Sequence, residues 1–291
     1  MNLRDLEYFH YLCETKNFTQ TAKKLFVSQP SITMSLHRLE TELNTKLIIR
    51  DNSKKQLTLT ESGQVLNKRV QNILYQIHEA KIEISKINSK KIKLGIPPII
   101  GAYFFPIFIN SLVENGFVNN IDFVETGSLK MNELLLCGKV DIALIGSLSP
   151  INNENIQSTT LKKDEFMLCV SENHKLANKT EIDFKELSDE QFIVLGNSYI
   201  HNNVLESLFI KNNIVPKNIY KTDEIQTAKS LIASNLGVGV MTNMAVKNMT
   251  GIKILPLKEK LFFYISIAYK KDHYISDTEM EIIDLILSKK L

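Results

Sequence analysis

The apolar positions of the chain change their spacing from segment to segment. Near the start, Ile32, Leu36, Leu39 and Leu43 recur at intervals of four, three and four, one stripe along a helix. The opposite side of that helix carries Gln29, Ser31, Thr33, Met34, His37 and Arg38. Thr19 and Ser28 are N-cap residues nine apart and predict two helix starts. Pro30 falls in the first turn of the second helix, where its missing N–H costs nothing. Asn44 tolerates the left-handed backbone that ends helices. Ala22 is small where the two helices cross. Two short helices, a tight turn and a second helix polar on one side predict a helix-turn-helix.

The apolar run Leu47-Ile48-Ile49, the polar turn from Asp51 to Gln56 and Leu57-Thr58-Leu59 predict a β-hairpin with Lys54 and Lys55 at its tip. Such a wing lies against phosphates. Thr60 then caps a long helix, with Glu61 in its first turn. Along it Leu66, Val70, Ile73, Ile77, Ala80, Ile84 and Ile87 alternate spacings of four and three, a coiled-coil seam that needs a partner helix. Packing on its own domain is the other use of such a stripe. Asn88-Ser89-Lys90-Lys91 breaks the pattern and reads as a hinge.

From residue 92 strands alternate with helices. Strands are expected at 92–96, 121–125, 141–146, 166–171, 192–195, 219–222, 237–241, 252–255 and 262–269. Helices are expected at 102–115, 128–137, 202–213, 224–233 and 276–287. This alternation predicts an α/β region with a largely parallel sheet, in two lobes with a cleft between them.

Charge divides the chain in the same place. The first 91 residues carry 15 basic and 9 acidic side chains, the remaining residues 20 and 23. A basic first third suits a phosphate backbone, and a mildly acidic remainder suits a soluble domain. All four arginines (Arg4, Arg38, Arg50 and Arg69) lie in the first third.

Several motifs together resemble one family. Leu6-Glu7-Tyr8-Phe9, Asn17-Phe18-Thr19 with Ala22 and Leu25, and Ser28-Gln29-Pro30-Ser31-Ile32-Thr33 are the first of them. Leu39-Glu40, Leu43, Leu47 to Arg50, and Leu57-Thr58-Leu59-Thr60-Glu61-Ser62-Gly63 complete the set. In order and spacing, residues 3–66 resemble the winged helix-turn-helix of the LysR-type transcriptional regulators, and the rest of the chain fits that family in length and layout. The N-terminal third is similar to the regulators of malolactic fermentation in Gram-positive bacteria. The resemblance implies a winged helix-turn-helix at 1–60, a linker or dimerisation helix and hinge at 61–91, and a periplasmic-binding-protein-like α/β effector domain at 92–291. Lobe one is expected at about 92–161 plus 266–291, and lobe two at about 162–265.

The same resemblance places base contacts on Gln29, Pro30, Thr33, Met34 and His37. Members often carry basic residues where this chain has Met34 and His37, and an apolar contact from Met34 to a thymine methyl is one consequence. Phosphate contacts are expected from Ser31, Arg50, Lys54, Lys55 and Thr58, and a dimer seam from Leu66, Val70, Ile73, Ile77, Ala80 and Ile84. Tetramers built as dimers of dimers on a pseudo-palindromic operator are implied.

Ligands in such sheets bind outside the carboxyl ends of strands, near helix N-termini. That rule, with the family's effector loops, selects Pro98, Ile99, Ile100, Gly101, Thr126, Ser128, Asn197, Ser198, His201, Thr222 and Thr242. Helix capping is the competing role for Thr126 and Ser128, and a surface position for His201. No arginine stands in the effector region to clamp a carboxylate, which counts against a simple malate clamp. A neutral or weakly charged ligand fits as well as a dicarboxylate.

Enzymatic chemistry finds no support. Cys13, Cys137 and Cys169 are scattered and read as reduced core residues of a cytosolic protein. The six histidines form no metal-ligand spacing, and no phosphate loop, dinucleotide fingerprint or nucleophile elbow occurs. No cofactor, metal or membrane is expected, and the location expected is the cytoplasm. A solute-binding protein leaves residues 1–91 without a use. A DNA-binding architectural protein without a ligand leaves the two lobes without one.

Overall fold

Asn2 accepts a hydrogen bond from the Asp5 amide at 2.8 Å and opens α1 (Leu3–Thr15). A second helix, α2 (Phe18–Lys24), starts at Asn17, whose side chain accepts from the Gln20 amide at 3.0 Å. The expected cap, Thr19, lies inside this helix. Both residue types cap, and burial of Phe18 decides between them. Ser28 caps α3 (Gln29–Glu42) as expected, and Asn44 beyond its end takes φ 47°.

The computed structural model describes residues 1–51, 56–88 and 91–289. They form two units, Met1–Ser85 and Lys86–Leu291. In the first, β1 (Ile48–Asp51) pairs antiparallel with β2 (Gln56–Leu59). Thr60 accepts from the Gly63 amide at 3.0 Å and starts α4 (Glu61–Asn88). Phe9, Leu12, Ile32, Leu39, Leu47 and Val70 fill the core of this unit. Val70 is fully covered there, with Leu66 and Leu74 packed against the same core. Val70 therefore has no surface left for a second helix. Ile73 and Ile84 are exposed, Ala80 is exposed and Ile77 is half-buried.

The second unit runs β3 (Ile92–Gly95), α5 (Pro98–Tyr103), α6 (Pro106–Glu114), β4 (Ile121–Val124), α7 (Ser128–Leu136) and β5 (Ile142–Ser147). The single helix expected at 102–115 is two helices. Pro106 lacks an N–H and crowds the residue before it, so the chain turns at Phe104–Phe105. Next come β6 (Ile156–Ser171), β7 (Gln191–Leu195), α8 (Ile200–Asn212), β8 (Asn218–Thr222) and α9 (Ile225–Ala233). The chain ends with β9 (Gly239–Thr242), α10 (Asn243–Val246), β10 (Ile252–Pro256), β11 (Phe262–Lys270) and α11 (Asp277–Ser288).

The main sheet has the order β10-β6-β11-β5-β3-β4, with β9 also on β6. β3 is parallel to β4 and to β5. β11 is antiparallel to β5 and β6, and β6 is antiparallel to β9 and β10. The sheet is thus mixed rather than largely parallel. A separate parallel pair joins β7 and β8.

β6 is sixteen residues long and changes neighbours midway. Up to Glu165 it pairs with β11, and from Phe166 it lies between β9 and β10. The chain returns from β10 to β11 near Leu261, whose carbonyl accepts the Phe166 amide at 2.9 Å. Two lobes meet at these crossings: one built on β3, β4 and β5, the other on β7, β8, β9 and β10. A common core that includes Phe104, Phe108, Phe166, Phe192 and Phe263 runs through both. Among the described residues no helix is long and apolar enough to cross a membrane.

Candidate functional site

The polar face of α3 is open. Gln29, Pro30, Met34 and His37 are exposed, with Met34 at 60%, while Thr33 is half-buried. On the inner face Ile32, Leu36 and Leu39 are buried and hold the helix on α1 and α2. Ser31 is turned back to the cap, its hydroxyl 2.8 Å from that of Ser28. Thr33 donates to the Gln29 carbonyl at 3.3 Å, so its hydroxyl rests on the helix in this structure. Thr58 is exposed on β2. Lys54 and Lys55 lie outside the described residues, as does the side chain of Arg50.

Two carboxylates lock this unit. Asp5 of α1, 2% exposed, receives Arg38 of α3 on both its oxygens. The Arg38 bond holds the Asp5 carboxyl below its usual range. Glu40 is also buried and accepts from the Leu47 amide at 2.9 Å, the Ile48 amide at 3.4 Å and Lys46 Nζ at 2.7 Å. Burial pushes this carboxyl up, but Lys46 and the two amides outweigh it and hold it low. The motif residue Glu40 thus fastens the wing to the end of α3. Phe26, in the turn between α2 and α3, is 95% exposed at φ 55°. Aromatic residues rarely adopt that backbone, and nothing in the sequence pattern marked it.

In the second unit, the loops after β3, β4 and β7 meet around a small, partly open cavity of about 20 Å³. Lobe one supplies Pro97, Pro98, Ile99, Ile100, Gly127 and Ser128, with Phe263 from β11. Lobe two supplies Ser198, Tyr199, Ile200 and His201. The lobes touch at Gly127: a Cβ there would lie 2.0 Å from the Ser198 carbonyl oxygen. Glycine at this position is what allows the cleft to shut.

Ser128 is the first residue of α7, and its hydroxyl accepts the Gly146 amide at 3.0 Å. His201, second in α8, is 4% exposed and packs edge-on to Phe166 and beside Phe263 and Tyr199. Its Nε2 is buried without a hydrogen-bond partner. Burial pushes the imidazole down to about 3, so it is neutral near pH 7.

Of the expected effector residues, the structure brings Pro98, Ile99, Ile100, Ser128, Ser198 and His201 together. The others lie off this wall. Gly101 lines an open apolar groove between α5 and β4 with Phe105 and Phe123. Thr126 is half-buried beside Gly127. Asn197 accepts from Lys221, and Thr222 accepts the Glu224 amide at 3.2 Å. Thr242 is buried at the start of α10. His201 is a core position rather than a surface one. Cys137 is exposed, unlike Cys13 and Cys169, whose thiols burial pushes up to about 12.

A further contact joins the lobes. Tyr103 of α5 receives Gln226 Nε2 at 3.0 Å and also Lys229 Nζ, both from α9. Lys229 is 3% exposed, and no carboxylate pairs with it among the described residues. Local sequence held no signal for it, since the two partners are far apart in the chain.

Residues 3–64 match the family described as bacterial regulatory helix-turn-helix protein, lysR family, and residues 86–289 match the LysR substrate binding domain. The chain is 34% identical to the malolactic fermentation system transcriptional activator of Lactococcus lactis, covering 100% of this chain and 99% of that one. It is 24% identical to the hydrogen peroxide-inducible genes activator of Haemophilus influenzae, over 88% of this chain and 86% of the other. Full-length OxyR from Pseudomonas aeruginosa shares the fold at a TM-score of 0.57 and 22% identity, with both chains covered completely. The effector binding domain of QuiR in complex with shikimate aligns at a TM-score of 0.57 and 26% identity, over 69% of this chain and 96% of that one.

Proposed function

The chain belongs to the LysR family of DNA-binding transcriptional regulators, which carry an effector-binding substrate domain, and from that premise we propose how its own residues do the work. α3 reads a major groove with Gln29, Pro30, Thr33, Met34 and His37. Thr58 and the wing, with Arg50, Lys54 and Lys55, meet the phosphates beside it, as does Ser31. The carrying observation is the two-sidedness of α3: its apolar side is consumed by α1 and α2, while its polar side is exposed.

The effector sits in the cleft between the lobes, against Pro98, Ile99, Ile100, Ser128, Ser198 and His201. A ligand there favours one arrangement of the lobes by the difference in its affinity for the two. Two chains pair along α4 from Ile73 onward, which presents two reading helices to two half-sites. Dimers associate further into tetramers. The protein works in the bacterial cytoplasm.

Footprinting of the purified protein on the intergenic region upstream of its own gene, with and without a panel of metabolites, tests this reading. Two separated protected half-sites whose extent shifts with one metabolite are expected. Gln29→Ala and Thr33→Ala should relax operator selectivity while binding persists. Unchanged selectivity in both variants would remove α3 as the reading helix.

A further inference from the structure

The cavity is lined mainly by hydrocarbon, with Ser128, Ser198, Tyr199 and His201 as its polar side chains. α7 and α8 both open on it, and neither first turn has a side-chain cap. The Asn202 amide of α8 donates to the Tyr199 carbonyl at 3.2 Å, which leaves the amides of Ile200 and His201 and the first turn of α7 at the positive ends of the two macrodipoles. Ser128 already accepts the Gly146 amide, so its O–H remains to donate. Tyr199 donates its hydroxyl to the Asp223 carbonyl at 2.9 Å and is thereby occupied. His201 lines the cavity, is more than nine-tenths buried and neutral, and has a buried Nε2 without a partner. In the tautomer protonated there, it adds one more donor. A buried donor left alone is costly, and this one belongs to a residue that lines the cavity.

The rest of the wall is Pro97, Pro98, Ile99, Ile100, Ile200 and Phe263. Among the described residues no lysine or arginine lines it. One anionic head can be matched by the two helix starts and the two side-chain donors. A second charge would be desolvated against proline, isoleucine and phenylalanine with no cation to meet it. The space left with the lobes shut is about 20 Å³, room for about one water. The lobes part to admit an occupant, and only a short one lets them come together again on it.

We propose that the cleft takes a short monocarboxylate, its head held by the opening amides of α7 and α8, the Ser128 hydroxyl and His201 Nε2–H. Its body lies against Ile99, Ile100 and Phe263. This inference rests on the cleft being the effector site.

The test is calorimetric titration of the full-length protein with acetate, propionate and lactate, with propionamide and lactamide as neutral counterparts, and with succinate and malate. At least one monocarboxylate should bind tenfold or more tightly than its amide and than the dicarboxylates. His201→Phe should weaken that binding tenfold or more without lowering the melting temperature of the free protein. His201→Gln, which restores an N–H, should recover part of it. Equal binding of acid and amide, preference for a dicarboxylate, no binding by any of the three monocarboxylates, or indifference to His201→Phe would each overturn the proposal. Gly127→Val separates the two readings, because its side chain meets the Ser198 carbonyl. A neutral or doubly charged ligand lost in Gly127→Val leaves the cleft as effector site and removes only the monocarboxylate. A bound ligand indifferent to Gly127→Val removes the cleft itself.

Discussion

Arg38 closes a two-pronged ion pair on Asp5, with Nε 3.1 Å from one carboxylate oxygen and Nη2 on the other. The arginine of the reading helix, which stands on its polar side in sequence, is thereby committed to α1. It ties α3 to α1 through Nε and Nη2.

Asp5→Asn is expected to lower the stability of the N-terminal unit by about 1 kcal/mol, near the low end for a hydrogen-bonded charge because Arg38 regains water. The Asp5 carboxyl is held below its ordinary value of 3.8 by Arg38. The pair's contribution is therefore present above about pH 4 and lost as pH falls through the lowered value. Melting curves between pH 2.5 and 6 should show a smaller acid step in Asp5→Asn than in the parent, the remainder coming from Glu40 and His201.

Phe26 holds a left-handed backbone with its ring in solvent. Asn adopts that backbone far more readily, so Phe26→Asn should raise stability by up to about 1 kcal/mol. If the ring is retained for DNA, the same variant should bind operator more weakly. A more stable protein with undiminished operator affinity would leave the ring without a use there.

The stripe on α4 divides at Ile73. Ile73→Glu with Ile77→Glu should dissociate the proposed dimer in sedimentation without unfolding the N-terminal unit, because Val70 and Leu74 hold α4 to its own core. An intact oligomer would place the interface elsewhere.

His201 has an ordinary value of 6.5 and a folded value of about 3. Folding therefore excludes a proton that the unfolded chain binds. Stability is full above about pH 6.5 and falls with decreasing pH down to about 3, by about 1.4 kcal/mol per pH unit from this group. His201→Phe should flatten that slope in thermal or urea unfolding. An unchanged slope would mean that the imidazole is reached by water.

Much of this was legible in local sequence. Ser28, Pro30, Thr60 and Asn44 act through bonds and torsions of their own neighbourhood, and they mark helix ends where the structure has them. Thr19 misled because Asn17, two residues earlier, caps equally well, and the choice rests on the burial of Phe18. The direction of β6 and β11 was invisible, since an apolar run does not declare its partner. Half of the cleft followed from loops at strand ends. Phe263, Tyr103 and Lys229 did not, because each reaches its place only through pairings a hundred or so residues away.

The sixteen-residue β6 limits what the lobes are free to do. Its first half is fixed in register on β11 and its second half on β9 and β10. Sliding one lobe past the other would break both ladders, and a slip of a single residue would turn every side chain of a strand to the wrong face. Rotation through the φ and ψ torsions around Glu165–Phe166 and Leu261–Phe262 leaves both ladders paired. Under the proposed function, a ligand between the lobes is therefore registered as an angle rather than a displacement, as between two paddles on a shared axle.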